Sequence, residues 1–111
     1  MTGGKASRQK GDRFEREVVA LLQEHGLAAE RIPLSGSAGG SFTGDVTVPV
    51  LGIDRKFEAK IRRSGFRQIR DWITGNYAVV FREDRAEALI TLRLADFAKL
   101  AITADKNRST Q

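Results

Sequence analysis

The chain has 111 residues and no cysteine, and it carries 19 Lys and Arg against 14 Asp and Glu, for a net charge of +5. This length corresponds to a single domain. The lack of cysteine excludes disulfides, thiolate zinc sites and cysteine nucleophiles. No segment approaches the roughly 18 consecutive apolar residues of a membrane span, and the basic N-terminus lacks the apolar stretch of a signal peptide. We therefore expect a cytoplasmic protein without a membrane partner.

The positive charge is concentrated in the first part of the chain. Residues 1–70 hold 13 basic and 8 acidic residues, whereas residues 71–111 hold 6 of each. The whole net charge therefore lies in the first 70 residues. This distribution is typical of proteins that bind a polyanion, because contacts with phosphates release condensed counterions. Many basic proteins bind no nucleic acid, so charge alone leaves this question open.

The termini differ in composition from the middle of the chain. Residues 1–9 are rich in Gly, Ser and Lys, and residues 104–111 are polar. Neither segment shows the apolar periodicity of a helix or a strand. We expect a disordered basic arm at 1–9, one domain at 10–103 and a polar tail at 104–111.

Helical and strand patterns follow one another inside this domain. Apolar spacing predicts a helix at 13–25 that ends at Gly26. Residues 45–50 and 53–61 are predicted as two strands joined at Leu51-Gly52. The other predicted elements are a strand at 29–33, a flexible Gly-rich loop at 34–44, a helix at 66–73 with Ser64 as its N-cap, strands at 77–82 and 87–93, and a helix at 95–102. The order α-β-β-β-α-β-β-α predicts a mixed central sheet flanked by helices, in the α/β or α+β class.

The two hairpin strands carry the main candidate site. Glu58 and Lys60 are two residues apart, so they share one face of their strand. If the strands are antiparallel, Asp45 lies near them. A surface ion pair would explain Glu58 and Lys60 alone. Two adjacent carboxylates, however, repel each other unless a cation binds between them. Mg²⁺ suits carboxylates, water and phosphate oxygens, with the Ala59 carbonyl as a further ligand.

Glu15 is a second candidate. With about 100° per residue and Phe14 at zero, Glu15 falls at about 100°, inside the apolar arc that contains Val18 and Leu22. A carboxylate among core-facing side chains is costly unless it is paired or bound to a metal. A nearby arginine and a place beside the metal site are both compatible with this position.

Four short motifs follow one another in order: Lys10-Gly11 with Glu15-Arg16-Glu17, Arg31-Ile-Pro-Leu-Ser35-Gly36-Ser37, Gly44-Asp45, and Glu58-Ala59-Lys60. In this combination, over Lys10 to Phe66, the chain resembles the PD-(D/E)xK nuclease superfamily. Within that superfamily it is similar to the archaeal-type Holliday junction resolvases and their phage relatives. Gly44 stands where the superfamily pattern has proline, a departure that touches no ligand.

The resemblance implies a restriction-endonuclease-like fold and an endonuclease that uses Mg²⁺, with Mn²⁺ able to substitute. It implies a homodimer acting on branched DNA. Carried onto this chain, it makes Glu15, Asp45 and Glu58 the acidic residues and metal ligands, and Lys60 the catalytic lysine. Ser35 becomes the loop serine near the scissile phosphate.

A further set of residues, mostly basic, is expected to contact the DNA backbone: Lys5, Arg8, Lys10, Arg13, Arg31, Ser37, Arg62, Arg63 and Arg67. Any one of these basic residues alone is more often a solvated surface charge. Other functions stay open on the sequence: a nuclease that cuts flaps, ends or single strands, a basic DNA-binding protein without catalysis, and a structural subunit.

Overall fold

The computed structural model of the chain describes residues 3–32 and 44–109. Its helices are α1 (Gly3–Glu24), α2 (Arg67–Ile73) and α3 (Leu94–Ser109). Its strands are β1 (Glu30–Arg31), β2 (Gly44–Val50), β3 (Ile53–Ala59), β4 (Ala78–Phe81) and β5 (Leu89–Leu92). The element order confirms the predicted α-β-β-β-α-β-β-α and the mixed α/β class. The predicted loop at 34–44 lies outside the described residues except for Gly44.

The strands form two antiparallel sheets, where the sequence predicted one mixed sheet. One sheet has the order β1-β2-β3, and β4 and β5 form the other. Short connections between consecutive strands favour antiparallel pairing. Within the described residues, β4 pairs with β5 and adds no parallel strand to β3.

The turn between β2 and β3 consists of Leu51 (φ 55°) and Gly52 (φ 80°). Two consecutive residues with positive φ are the signature of the type I′ turn that suits the twist of a hairpin. Asp105 accepts a hydrogen bond from the Leu51 N–H at 2.8 Å, and the Arg108 guanidinium lies against Gly52. These contacts explain why α3 continues beyond Ile102: the predicted polar tail is helical as far as Ser109 because it packs on this turn.

Helix α1 begins at Gly3, so the prediction of a disordered arm is wrong for residues 3–9. These residues have no apolar face, but several of them are good helix formers that extend a helix nucleated elsewhere. The predicted end is confirmed. Gly26 has a φ of 95°, and the Leu27 N–H donates to the Leu22 carbonyl at 3.1 Å, as in a Schellman motif. His25 Nδ1 donates to the Leu21 carbonyl at 2.9 Å, a role at the helix end.

The core lies between α1, α3 and one face of the β1-β2-β3 sheet. It contains eight buried hydrophobic residues: Val18, Leu22, Leu27, Ala29, Val46, Val48, Ala98 and Ala101. The rings of Phe57 on β3 and Phe97 on α3 add a tilted contact at 5.3 Å between centroids. None of the described helices combines the length and the apolar character that a membrane span requires.

Helix α2 is held at its C-terminal end. Its N-cap is Phe66, without a side-chain hydrogen bond, so Ser64 is not the cap; the helix begins one residue later than predicted. At the other end, Thr74 Oγ1 donates to the Arg70 carbonyl at 2.9 Å. Arg93, just after β5, donates to the carbonyls of Ile73 and Asn76 at 3.2 and 3.1 Å. Arg93 therefore ties α2 to the second sheet.

An ion pair joins α1 to β1 on the core side of the sheet. Glu15 is only 7% exposed, and its Oε1 accepts a hydrogen bond from Arg31 Nε at 2.9 Å. Arg31 also contacts the exposed Asp12 at 3.1 Å. Arg31 is the register partner of Val46, so it lies on the same face as that buried side chain. Of the two explanations for a carboxylate in the apolar arc, the structure contains the arginine partner.

We expect Arg31→Met to lower the free energy of unfolding by about 1–3 kcal/mol, because it leaves the Glu15 carboxylate buried without its cation. Exposure of Arg31 keeps this loss below that of a fully buried pair. Urea denaturation at pH 7 measures it. Replacing both partners with apolar residues, Glu15→Leu/Arg31→Met, should recover part of the loss. Asp12→Asn, which removes only the exposed contact, should change stability by less than about 0.5 kcal/mol. An Arg31→Met variant as stable as wild type would contradict this account.

Candidate active site

The hairpin of β2 and β3 brings Asp45 and Glu58 directly opposite each other. Side chains that are opposite in an antiparallel pair share one face, with Cβ atoms about 5 Å apart. The neighbouring residues Val46 and Val48 are completely buried against α1 and α3. Because side chains alternate along a strand, Asp45 and Glu58 project from the face away from this core. The predicted meeting of the two carboxylates is therefore present.

Each of the two carboxylates has a lysine beside it. Lys60 Nζ lies 3.7 Å from Glu58 Oε1. Lys56 Nζ lies 3.3 Å from Asp45 Oδ2. Lys56, Glu58 and Lys60 alternate along one side of the chain, so their charges form a row beside Asp45. This cluster consists of two anions and two cations, all in contact with solvent.

Lys56 is the residue of this cluster that sequence reasoning did not place in the site. Its spacing of two residues from Glu58 was the available signal, because it puts both side chains on one face. What the spacing could not reveal was the diagonal contact with Asp45, which depends on the register of β2 against β3.

A cleft of about 540 Å³ opens beside the end of β3. The end of β3 with Lys60 forms one wall, and residues of α1, β5 and the start of α3 form the others. The side chain of Glu58 is 54% exposed and that of Asp45 is 27% exposed. Solvent therefore reaches both carboxylates.

Glu15 is not brought into this cluster. It lies on the core side of the sheet with Arg31, whereas Asp45 and Glu58 project from the other face. Within the described parts of the chain, no group of three or more His, Cys, Asp or Glu side chains is placed to hold a metal ion. The predicted role of Glu15 as a third acidic ligand stays a prediction.

The remaining predicted site residues fall into four groups. Ser35 and Ser37 lie outside the described residues. Helix α1 carries Arg8, Lys10 and Arg13, and also Lys5, whose side chain is outside the described part. Arg31 is engaged by Glu15 and Asp12. Arg62, Arg63 and Arg67 follow the site and line a separate cleft.

The donor set suits a hard divalent cation. Two carboxylates on one face supply the oxygen ligands that Mg²⁺ prefers, and the cation would relieve their mutual repulsion. The Ala59 carbonyl belongs to the last residue of β3, directly after Glu58. Mg²⁺ usually keeps several waters and takes only one or two carboxylates, so Asp45 and Glu58 are sufficient in number.

Comparison with known proteins extends the sequence resemblance. Residues 6–109 match the family described as archaeal Holliday junction resolvase (Hjc). The match continues past Phe66, where the motif resemblance ended, and reaches the end of α3. No curated protein and no solved structure matches the chain. Since the family match spans nearly the whole sequence, this chain belongs to the archaeal Holliday junction resolvases, a PD-(D/E)xK family of structure-selective nucleases that act on branched DNA.

Proposed function

We propose that this resolvase hydrolyses phosphodiester bonds of four-way DNA junctions at the face formed by Asp45, Glu58 and Lys60, with Mg²⁺ as cofactor. Mn²⁺ is expected to substitute. The observation that carries the proposal is the register that places Asp45 opposite Glu58, with Lys60 in ion-pair contact with Glu58. A non-catalytic basic protein would have no need of this arrangement.

Asp45, Glu58 and the Ala59 carbonyl would hold the metal. When bound, the ion supplies an activated water and stabilises negative charge on the phosphate. In the hydrolysis, the water oxygen forms a bond to phosphorus and loses its proton to solvent. The bond from phosphorus to one sugar oxygen breaks, and that oxygen takes up a proton.

The position of the Lys60 ammonium group depends on its ion-pair partner, Glu58. Contact with Glu58 keeps the ammonium group beside the metal-binding carboxylates. From there its N–H groups donate to the attacking water or to a phosphate oxygen that gains charge in the transition state. Charge stabilisation of this kind acts only when the phosphate is being attacked, so it raises the rate of cleavage rather than the affinity for DNA. The catalytic role of Ser35, and that of Glu15, stay predictions that rest on the family resemblance.

We expect Asp45→Asn to reduce junction cleavage by about a thousandfold, because loss of a ligand charge removes several kcal/mol of stabilisation by the metal. Junction binding should be retained. Cleavage of a labelled synthetic junction with Mg²⁺ measures the first effect, and a gel-shift assay in EDTA measures the second.

Glu30→Gln is the matched control for this variant. Glu30 pairs with Thr47 in the same sheet and is exposed, so the change removes one charge from the same face without touching the Asp45–Glu58 pair. Cleavage should stay within about twofold of wild type. Asp45→Asn cleaving at the wild-type rate would contradict the proposed site. Random nicking of linear duplex, instead of symmetric paired nicks in junctions, would contradict the selectivity.

Lys56 competes with a cation for Asp45, since its ammonium lies 3.3 Å from Oδ2. We expect Lys56→Gln to tighten Mn²⁺ binding about threefold to tenfold, because removing a positive charge beside a carboxylate that would hold the ion relieves screened repulsion. Isothermal titration calorimetry of the metal-free protein measures this affinity. Arg55→Gln makes the same charge change on the opposite face of β3 and should have a smaller effect. Weaker Mn²⁺ binding by Lys56→Gln would contradict the competition.

We also propose that two copies form a homodimer. Resolution of a junction requires paired cuts related by a two-fold axis, and a chain of this length buries only a modest core. Val80 and Ile90 are directly opposite each other on β4 and β5, yet they are 68% and 61% exposed. This apolar pair is a surface that a second copy would cover.

Sedimentation equilibrium at micromolar concentration should therefore give twice the 12.2 kDa mass of the chain. Val80→Lys/Ile90→Lys should shift the protein to monomer. Ile53→Lys, a similarly exposed site at the start of β3, should leave the dimer intact. A monomeric wild-type protein would contradict the dimer itself, whereas a dimeric double variant would contradict only its surface.

A further inference from the structure

Four arginines surround a cleft just beyond the candidate active site. The cleft has a volume of about 330 Å³. Its lining, which we call the arginine pocket, consists of Arg62, Arg63, Ser64, Gly65, Phe66, Arg67 and Arg70. It is built by the segment that joins β3 to α2 together with the first turn of that helix. The cluster is therefore a concave feature and not simply a row of surface charges.

The charge of this pocket is largely uncompensated. Asp71 is the only acidic residue between positions 59 and 82. It lies 3.8 Å from Arg67, in an exposed contact between successive turns of α2, and exposed pairs of this kind contribute little. Within the described part of the chain, neither Arg63 nor Arg70 has an acidic partner in ion-pair contact. Cations held together without counter-charges are a binding site for a polyanion.

The local backbone explains why these side chains converge. Gly65 has a φ of 113°, a conformation that side chains rarely adopt, and it lies in a bend between Arg63 and Arg67. The Arg62 guanidinium lies 5.8 Å from the centre of the Phe66 ring, within the range of a cation–π contact. Such a contact orients the planar group without consuming its N–H donors. Guanidinium groups match phosphate oxygens in a two-pronged geometry that lysine lacks.

We infer that the arginine pocket binds a backbone phosphate of the DNA strand that is cut, a few nucleotides from the scissile bond. The inference rests on the proposed function, because it takes the Asp45–Glu58 face as the place of cleavage. Arg62 follows Lys60 by two residues, which limits the distance between their Cα atoms to about 7 Å. In the protein chain, the arginine pocket therefore begins directly after the residues that would contact the reacting phosphate. A contact there fixes the position of the strand, as phosphate contacts do in general.

The test compares two double variants that remove the same charge. Arg63→Gln/Arg70→Gln removes two guanidinium groups from the pocket. Arg82→Gln/Arg85→Gln removes two exposed charges from the connection between β4 and β5. Binding of a fluorescent synthetic four-way junction is measured by anisotropy in EDTA over a range of salt concentrations. For the pocket variant, the slope of log K against log salt should fall by about one to two units. Affinity near 0.1 M salt should fall by roughly tenfold. The control variant should keep the wild-type slope within about half a unit.

A chemical probe locates the phosphate. Junctions that carry one neutral methylphosphonate, placed in turn at each position flanking the cut, are bound to wild type and to the pocket variant. Wild type should lose affinity severalfold at one of these positions. The pocket variant should be insensitive at that same position, because the contact is already gone.

The outcomes separate this inference from the proposed function. A wild-type salt slope for Arg63→Gln/Arg70→Gln, or an equal loss for the control variant, overturns the pocket while Asp45→Asn can still abolish cleavage. Loss of slope in the pocket variant alone supports phosphate binding by the arginine pocket. If Asp45→Asn then cuts normally, the proposed place of cleavage is overturned, and with it the position of the pocket relative to the cut. Methylphosphonate sensitivity that persists in the pocket variant also overturns it. Because all four arginines are exposed, circular dichroism should show an unchanged fold for both double variants.

Discussion

The register between β2 and β3 is the constraint on which the rest of the structure depends. Because side chains alternate strictly, a slip of one residue would exchange the two faces of the hairpin. In the observed register, Val46 and Val48 are buried while Asp45 meets Glu58 on the outer face. The same hydrophobic burial that stabilises the sheet therefore positions the two carboxylates. The type I′ turn at Leu51-Gly52 determines this register locally, and α3 reinforces it by packing against the turn.

The sheet also separates two kinds of charge. On the core side, Glu15 is buried and its charge is balanced by Arg31, a contact that stabilises the junction of α1 with β1. On the outer side, Asp45 and Glu58 are in contact with water, and their lysine partners are held by weak, exposed ion pairs. Weak pairs can be exchanged for a metal ion and a phosphate at little cost, whereas a buried pair cannot. The outer face is thus the side on which catalysis is expected.

Positive charge continues from this face into the segment that follows β3. Membership of the resolvase family accounts for an excess of basic residues in general, since branched DNA is a dense polyanion. The structure adds a location to this excess. The arginines after Lys60 lie in a bend at Gly65 and in a short helix, next to the residues that would cut the strand. Binding and cleavage would then use neighbouring parts of one continuous chain segment.

Much of this followed from local sequence. Three features depend only on nearest neighbours along the chain: the alternating pattern of the hairpin, its turn residues and the helix stop at Gly26. The element order and the meeting of Asp45 with Glu58 could therefore be predicted. The start of α1 and the end of α3 could not, because they depend on helix extension and on packing against a distant turn. The partner of Glu15 could not be predicted either, because a carboxylate in the apolar arc is compatible with an arginine or with a metal. That choice and the contact of Lys56 with Asp45 were decided only by tertiary structure, because each joins residues whose distance depends on how separate elements pack.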